Sequence, residues 1–294
     1  MSTDNVEAAG GRIIAVAGAT GNQGGAVARH LLARGERVRA LTRDPASAAA
    51  LALAQAGAEV VSADFDQAAS LDKAVAGAHG VFSVQNMRGI GTEREAAQGM
   101  ALADAARRAG VQHFVYTSVG GAERKTGIGH FESKWQVEEH VRAIGLPATI
   151  LRPVFFTDNL LAPGMFGFVV WSAVAGALRD DRTLQVISVD DIGAIAAIVF
   201  AAPERFIGQS LEIAGDEVSL ARALSAFQAV TGKRPRFVRL PTGVLRLMDR
   251  DLADMFRWFR MHGYAADIDA VRAIHPGLQD VEAGLRASRV GQAT

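Results

Sequence analysis

Arg12-Ile13-Ile14-Ala15-Val16-Ala17-Gly18-Ala19-Thr20-Gly21-Asn22-Gln23-Gly24-Gly25 is the stretch on which the fold of this 294-residue chain turns. It opens on an apolar run rich in β-branched residues, the pattern of a strand buried on both faces of a parallel sheet. After the glycines, Ala26-Val27-Ala28-Arg29-His30-Leu31-Leu32-Ala33 repeats its apolar residues at helical spacing. Strand, glycine-rich turn and helix in immediate succession predict the first half of a dinucleotide-binding unit. The glycines have separate tasks. Gly18 permits the tight turn, Gly21 lets the backbone approach a pyrophosphate, and Gly24 lets the helix lie close against the strand. The helix N-terminus offers N–H groups and a partial positive charge to the phosphates. The spacing is Gly-x-x-Gly-x-x-Gly, unlike the Gly-x-Gly-x-x-Gly of the common NAD fingerprint.

Working outward, Arg37-Val38-Arg39-Ala40-Leu41-Thr42 alternates and is expected to be the second strand. The residue ending that strand faces the adenosine ribose. An acid there accepts from the 2′-hydroxyl and favours NAD, whereas an arginine pairs with the 2′-phosphate of NADP. Thr42-Arg43 stands at this place with Asp44 one step on, which predicts NADP(H) with Arg43 as the discriminating residue. The alternative is a surface Arg43 with Asp44 on the ribose. A helix over Ala46 to Ala56 leads to a third strand, Glu59 to Phe65, ending in Asp64-Phe65. That pair either brackets an adenine, carboxylate to amine and ring to face, or leaves Asp64 capping the helix that Ser70-Leu71-Asp72-Lys73 begins. The fourth strand, Gly80 to Gln85, ends in the polar Gln85-Asn86 where the cofactor should pass. The helix Glu93 to Arg108 has small residues on one face and charges on the other. The fifth strand, His113 to Ser118, brings Ser118 to the C-terminal edge of the sheet, and Leu146 to Pro153 is a sixth. Repeated β-then-α units with short loops predict an α/β protein with a Rossmann-type doubly wound parallel sheet.

Lysine plus arginine balances aspartate plus glutamate, 31 against 31, so no overall basic footprint points to nucleic acid. The absence of cysteine excludes disulfides, thiolate metal sites and thiol catalysis. The seven histidines are scattered without metal-ligand spacing, so no metal site is expected. Met1 to Glu7 is polar and lacks a signal-peptide core. The longest apolar run, Gly164 to Leu178, stops at Arg179-Asp180-Asp181, too short to span a bilayer. A cytoplasmic protein without membrane or direct nucleic-acid partners is the expectation.

Several motifs together resemble the NmrA-like branch of the atypical short-chain dehydrogenases/reductases. They are Gly18-Ala19-Thr20-Gly21-Asn22-Gln23-Gly24, Thr42-Arg43-Asp44-Pro45, His130-Phe131-x-x-Lys134-x-x-Val137-Glu138, Arg152-Pro153-x-x-Phe156-x-x-Asn159-Leu160 and Ser188-Val189-Asp190-Asp191-Ile192-Gly193. The resemblance runs to His275-Pro276. It implies an NADP(H) site that includes Thr20, Asn22 and Gln23 beside the three glycines, and Pro153, Phe156 and Asn159 near the nicotinamide. In the wider superfamily a serine on the fifth strand hydrogen-bonds the reacting oxygen. A tyrosine one turn before a lysine handles the proton, and the lysine binds the ribose. Ser118 and Lys134 match that pattern, but His130 stands where the tyrosine would be. Histidine, with an ordinary pKa of about 6.5, suits proton transfer near neutrality; otherwise His130 is a helix-start residue without a proton role.

The resemblance thus leaves two functions open. One is an NADPH-dependent oxidoreductase acting on a small carbonyl, quinone or similar acceptor. The other is a non-catalytic NADP(H) sensor, which several NmrA-like proteins resemble more than catalysts, controlling a protein partner. Residues 1–155 are expected to form the nucleotide domain, with 183–202 returning to it. Residues 156–182 and 203–294 would form a smaller, mostly helical substrate lobe. Thr183 to Ile187 is expected as a seventh strand, Asp190-Asp191 as the cap of a helix over Ala194 to Ala201, and Ser219 as the start of a helix to Thr231. Met165 to Ala177 reads as helix and loop, either in the substrate region or covering a partner surface; oligomeric state stays open, with a dimer among the options. Met255 to Met261 is expected as a satellite core with its arginines solvated, in preference to a lid.

Overall fold

Strand β1 (Ile13–Val16) lies between β2 (Arg37–Thr42) and β4 (Gly80–Ser83), in register Ile13 to Arg37 and Ile14 to Gly80. In the computed structural model, which describes residues 11–86, 89–179, 181–238, 245–247 and 249–293, these belong to a seven-stranded parallel sheet. Met1 to Glu7 and Asp180, which entered the sequence reading, lie outside those residues. The other strands are β3 (Glu59–Ser62), β5 (His113–Thr117), β6 (Ala148–Pro153) and β9 (Ser210–Ile213), giving the order β3-β2-β1-β4-β5-β6-β9. The order reverses between β1 and β4. That switch point is where a doubly wound sheet opens a crevice beyond its strand ends.

Alternation along each strand explains the two covered faces. Ile14 and Val16 join a core cluster with Val27, Leu31, Ile192 and Phe200, whereas Ala15 and Ala17 join Leu71, Leu102 and Phe114 on the opposite face. On β5, Val115 belongs to the first cluster and Phe114 and Tyr116 to the second. At ~1.5–3 kcal/mol for each large side chain fully buried, this two-sided burial is the main force holding the sheet between its helices. One layer contains α1 (Asn22–Ala33) and α7 (Val189–Ala201); the other contains α3 (Ala68–Val75), α4 (Gly91–Arg108) and α5 (Gly129–Ala143). Helix α2 (Ala48–Gln55) links β2 to β3, with Ser47 Oγ accepting from Ala50 N at its start. Helices α1 and α7 meet backbone to backbone. A Cβ on Gly193 would stand 2.7 Å from the Ala26 carbonyl carbon.

Several boundaries differ from expectation. Strand β3 stops at Ser62, so Asp64 and Phe65 lie in the following loop, and β5 stops at Thr117, one residue before Ser118. Helix α3 begins at Ala68, placing Ser70 inside it. Helix α7 begins at Val189 under a Ser188 cap, whose Oγ accepts from Asp191 N at 2.9 Å. Asp190 and Asp191 therefore occupy its first turn and are not the cap. The expected seventh strand is the largest correction. Leu184–Ile187 (β8) leaves the main sheet and pairs parallel with β7 (Phe155–Phe156) and antiparallel with β10 (Asp216–Val218). All four residues of β8 are buried, with Leu184 and Val186 packing in a second core cluster with Phe155 and Val218. Strand β9, with exposed Ser210, takes the edge place beside β6 instead.

The second core cluster joins α6 (Gly164–Ala177), α9 (Leu220–Thr231), α10 (Arg250–Met261) and α12 (Val281–Ala293), whereas the short α8 (Pro203–Phe206) and α11 (Ile268–Ile274) pack on the first through Phe206 and Val271. Helix α6 is continuous, without the loop expected within Met165 to Ala177. Phe256, Trp258 and Phe259 of α10 are buried with Phe155 and Trp171, while Arg257 and Arg260 are exposed, as a satellite core requires. Among the described residues no helix is long and apolar enough to cross a membrane, and no group of three or more His, Asp or Glu could hold a metal.

Candidate active site

The turn after β1 has the shape the glycines imply. Gly18 adopts φ +59°, and a Cβ on Gly24 would stand 2.3 Å from Gly18 O, so no side chain fits between helix and turn. Gly21, at the N-cap of α1, has no side chain to cap the helix, and the first turn carries no acid. Thr20, Gly21 and Asn22 are exposed. Uncapped N–H groups at a solvent-facing helix start, beside the sheet's switch point, form a ready anion site. Gln23 is half-buried, its Oε1 accepting from Thr117 Oγ1 at 3.0 Å. That bond ties the glycine turn to the end of β5.

At the end of β2, Arg43 is exposed. Asp44 Oδ1 accepts from Ala46 N at 3.0 Å, so this carboxylate is engaged in its own turn beside Arg43. Nearby, Asp66 is gripped by both ends of the Arg94 guanidinium and accepts from Gln98 Nε2 at 2.9 Å. Those bonds, Arg94 first, with the Arg43 charge adding a little, hold its carboxyl down to about 2. Asp64 Oδ1 accepts from Asp66 N, and Asp64 N donates to Ser70 Oγ, each at 3.0 Å. The Asp64 carboxylate thus builds a turn, while Phe65 is half-buried against the core. Gln85 is buried and donates to Ser83 Oγ at 3.0 Å, with its Oε1 facing Gly99 of α4. Pro153 is buried at the end of β6, its carbonyl accepting from Gly120 N at 2.9 Å. Phe156 and Asn159 are half-buried just beyond it.

Ser118, His130 and Lys134 are each bonded to a different carboxylate. Ser118 Oγ donates to Glu138 at 2.6 Å, Lys134 Nζ to Glu95 at 3.1 Å, and His130 Nδ1 pairs with Asp251. The consequences differ by donor count. A serine has one O–H, so while it points at Glu138 it cannot also donate to a reacting oxygen. An ammonium has three N–H, and Glu95 takes only one of those on Lys134. For His130 the Asp251 bond engages Nδ1 and leaves Nε2 as the ring atom for other work. Asp251 also accepts from Gly129 N at 2.8 Å and His130 N at 3.3 Å. It therefore caps α5 from across the molecule. Burial opposes its ionisation, but the His130 and backbone bonds outweigh that and lower its pKa.

The carboxylates are what the sequence did not disclose. Glu95 is almost fully buried, accepting from Ser133 Oγ at 2.8 Å as well as from Lys134. Glu138 is completely buried and also accepts from Arg142 at 2.6 Å and from two nitrogens of Arg152, at 3.0 and 2.7 Å. Glu95 read as one of the charges on the polar face of its helix, and Glu138 entered only as a member of the family motif, with no role. Asp251 lies 121 residues from His130, with no local pattern to link them.

This arrangement defines a class: an α/β doubly wound protein whose first turn is shaped for a phosphate, with a second core cluster that takes in the start of α5. The chain belongs to the NmrA-like family, whose model matches residues 11–277. It is similar to the NmrA-like family domain-containing oxidoreductase FrzB of Cladobotryum sp, 34% identical over 76% of this chain and 75% of that one. It is 36% identical to the oxidoreductase hkm9 of Aspergillus hancockii over 77% and 74% of the two chains. Among solved structures, the NADP complex of NmrA, a negative transcriptional regulator, superposes with TM-score 0.75 at 23% identity, covering 97% of each chain. The Citrobacter sp. triphenylmethane reductase complexed with NADP(H) superposes with TM-score 0.76 at 22% identity, covering 94% and 99%.

Proposed function

We propose that this protein binds NADP(H) and acts as an NADPH-dependent oxidoreductase of the atypical short-chain dehydrogenase/reductase type, on a small carbonyl, quinone or similar acceptor. The observation that carries the reading is the uncapped, acid-free start of α1 pressed against Gly18 at the switch point. The oxidoreductase names of the fungal relatives support it. Gly18, Thr20, Gly21, Asn22, Gln23 and Gly24 would hold the pyrophosphate. Arg43 would hold the 2′-phosphate, since Asp44 is occupied by its own turn. Asp64 and Phe65 would border the adenine, and Gln85, Pro153, Phe156 and Asn159 the path toward the nicotinamide.

The bound nicotinamide supplies a hydride, and the chain must supply a proton and the positioning. Lys134, with two N–H groups beyond Glu95, is suited to ribose hydroxyls. His130 takes the tyrosine's place as proton donor through Nε2, with Asp251 fixing its ring. Ser118 enters as a positioning residue through Glu138. The nucleotide lobe then includes α7 and β9, whereas β8 belongs to the smaller lobe.

The sensor reading has one observation in its favour. Ser118 and Lys134 are both bonded to buried carboxylates, as structural residues would be. One experiment separates the two: NADPH oxidation with a panel of quinones, diketones and aromatic aldehydes. Turnover that falls ~10²–10⁴-fold in His130→Ala is expected for the enzyme. No turnover on any acceptor, with an NADPH-dependent change in mass by light scattering, establishes the sensor instead.

A further inference from the structure

The end of β5 carries two hydroxyls, and they serve opposite faces of the sheet. Val115 packs with Val16, Val27 and Phe82 on the α1 side, so Thr117, two residues on, also faces that side. Ser118 instead reaches Glu138 of α5 on the other side. Thr117 is almost fully buried, and its Oγ1 donates to Gln23 Oε1 at 3.0 Å. Gln23 is the second residue of α1, so its side chain starts beside the free N–H groups of the helix start. Between the glycine turn and β5 lies the end of β4, where Val84 packs on the same apolar cluster and offers no polar side chain. Among the described residues Gln23 Nε2 has no hydrogen-bond partner.

We propose that Thr117 is a positioning residue for the cofactor: it fixes the Gln23 amide so that Nε2 donates to the nicotinamide-side phosphate of NADP(H). The inference rests on the NADP(H) site proposed above. A pyrophosphate only accepts hydrogen bonds, so the amide must turn its N–H groups to it and its oxygen elsewhere. A freely turning amide would have to be ordered on binding, at a cost in side-chain entropy. The Thr117 hydroxyl takes the amide oxygen before the cofactor arrives. Which half of the cofactor benefits follows from the strand order. Arg43, Asp64 and Phe65 stand after β2 and β3, on one side of β1, whereas Thr117 ends β5 on the other. The Gln23 amide therefore leans away from the adenosine side.

The test titrates the full chain by calorimetry with NADPH and with 2′,5′-ADP, which carries the adenosine half and its 2′-phosphate but lacks the nicotinamide-side phosphate. Thr117→Val keeps the shape and removes the hydroxyl. It is expected to weaken NADPH about fivefold, the worth of one neutral hydrogen bond, and to leave 2′,5′-ADP within about twofold. Thr117→Ser restores NADPH binding. Gln23→Ala weakens NADPH about tenfold with 2′,5′-ADP again spared, and decides the point independently of how Thr117→Val folds. Adding Thr117→Val to Gln23→Ala changes nothing further, because the two residues act through one bond. Wild-type affinity for NADPH in Thr117→Val, equal loss of both ligands in Gln23→Ala, or additive losses in the double variant overturn the proposal and leave the site standing. Failure of the wild-type chain to bind either ligand overturns the site itself.

Discussion

Two alanine substitutions in the glycine turn separate folding from cofactor binding. In Gly24→Ala the new Cβ would stand 2.3 Å from Gly18 O, 2.5 Å from Gly18 C and 2.6 Å from Ala17 O, all of them backbone. None can rotate away, so α1 must move off β1 by on the order of 1 Å to restore ordinary contact. Overpacking of this kind costs ~1–3 kcal/mol, offset by ~0.5–1 kcal/mol for replacing a helical glycine with alanine. The net loss of ~1–2 kcal/mol lowers the melting temperature by ~2–3 °C in a chain of this size. In Gly21→Ala the backbone, at φ −99° and ψ 178°, is already acceptable to alanine, and the Cβ would lie 3.3 Å from Gly18 O. That variant should lose less than ~1 kcal/mol. Its methyl group, however, stands where the pyrophosphate must approach, so NADPH should bind at least ~10-fold more weakly. Thermal melts without cofactor and fluorescence titrations with NADPH read the two effects apart. A Gly24→Ala protein that melts like wild type, or a Gly21→Ala protein that binds NADPH like wild type, refutes the geometric argument.

Arg43→Ala should cost ~1.5–3 kcal/mol of NADPH binding, the worth of hydrogen bonds to a charged group, and leave NADH binding unchanged in parallel titrations. Glu138→Ala removes the completely buried acceptor of Ser118, Arg142 and Arg152, and should cost ~3–5 kcal/mol in urea unfolding. Burial, with the charges of His79 and Arg12, pushes His113 down to about 4, and its Nδ1 is buried without a partner among the described residues. The unfolded chain binds that proton first. This residue's stabilisation is therefore complete above about pH 6.5 and disappears as pH falls to about 4, a change of roughly 3 kcal/mol. His113→Gln should flatten the urea-unfolding stability over that window. Asp251, with its lowered pKa, stabilises above its unfolded value of about 3.9 and loses that contribution as pH falls through the folded one. The stability gap between wild type and Asp251→Asn should therefore narrow below about pH 4.

What the sequence determined by itself is local. The strand–glycine–helix succession, the alternation of β2, and the Ser219 cap depend on neighbours a few residues away. Steric fit and backbone hydrogen bonding act at that range, so they can be read without the fold. The Gly-x-x-Gly-x-x-Gly turn and the resemblance it anchors led to the NmrA-like family, to which the chain belongs. Tertiary structure alone decided which sheet a short apolar strand joins. Leu184–Ile187 and Ser210–Ile213 have similar lengths, and only packing in the second core cluster draws the first away from the main sheet. It also decided which charges are buried. Glu95 read as part of a charged helix face and Glu138 as a motif residue without a role, and their partners come from other elements or other turns. His130 and Asp251 meet across 121 residues. Desolvation acts in space and not along the chain, so no periodicity or spacing could have shown which carboxylate each candidate residue would meet.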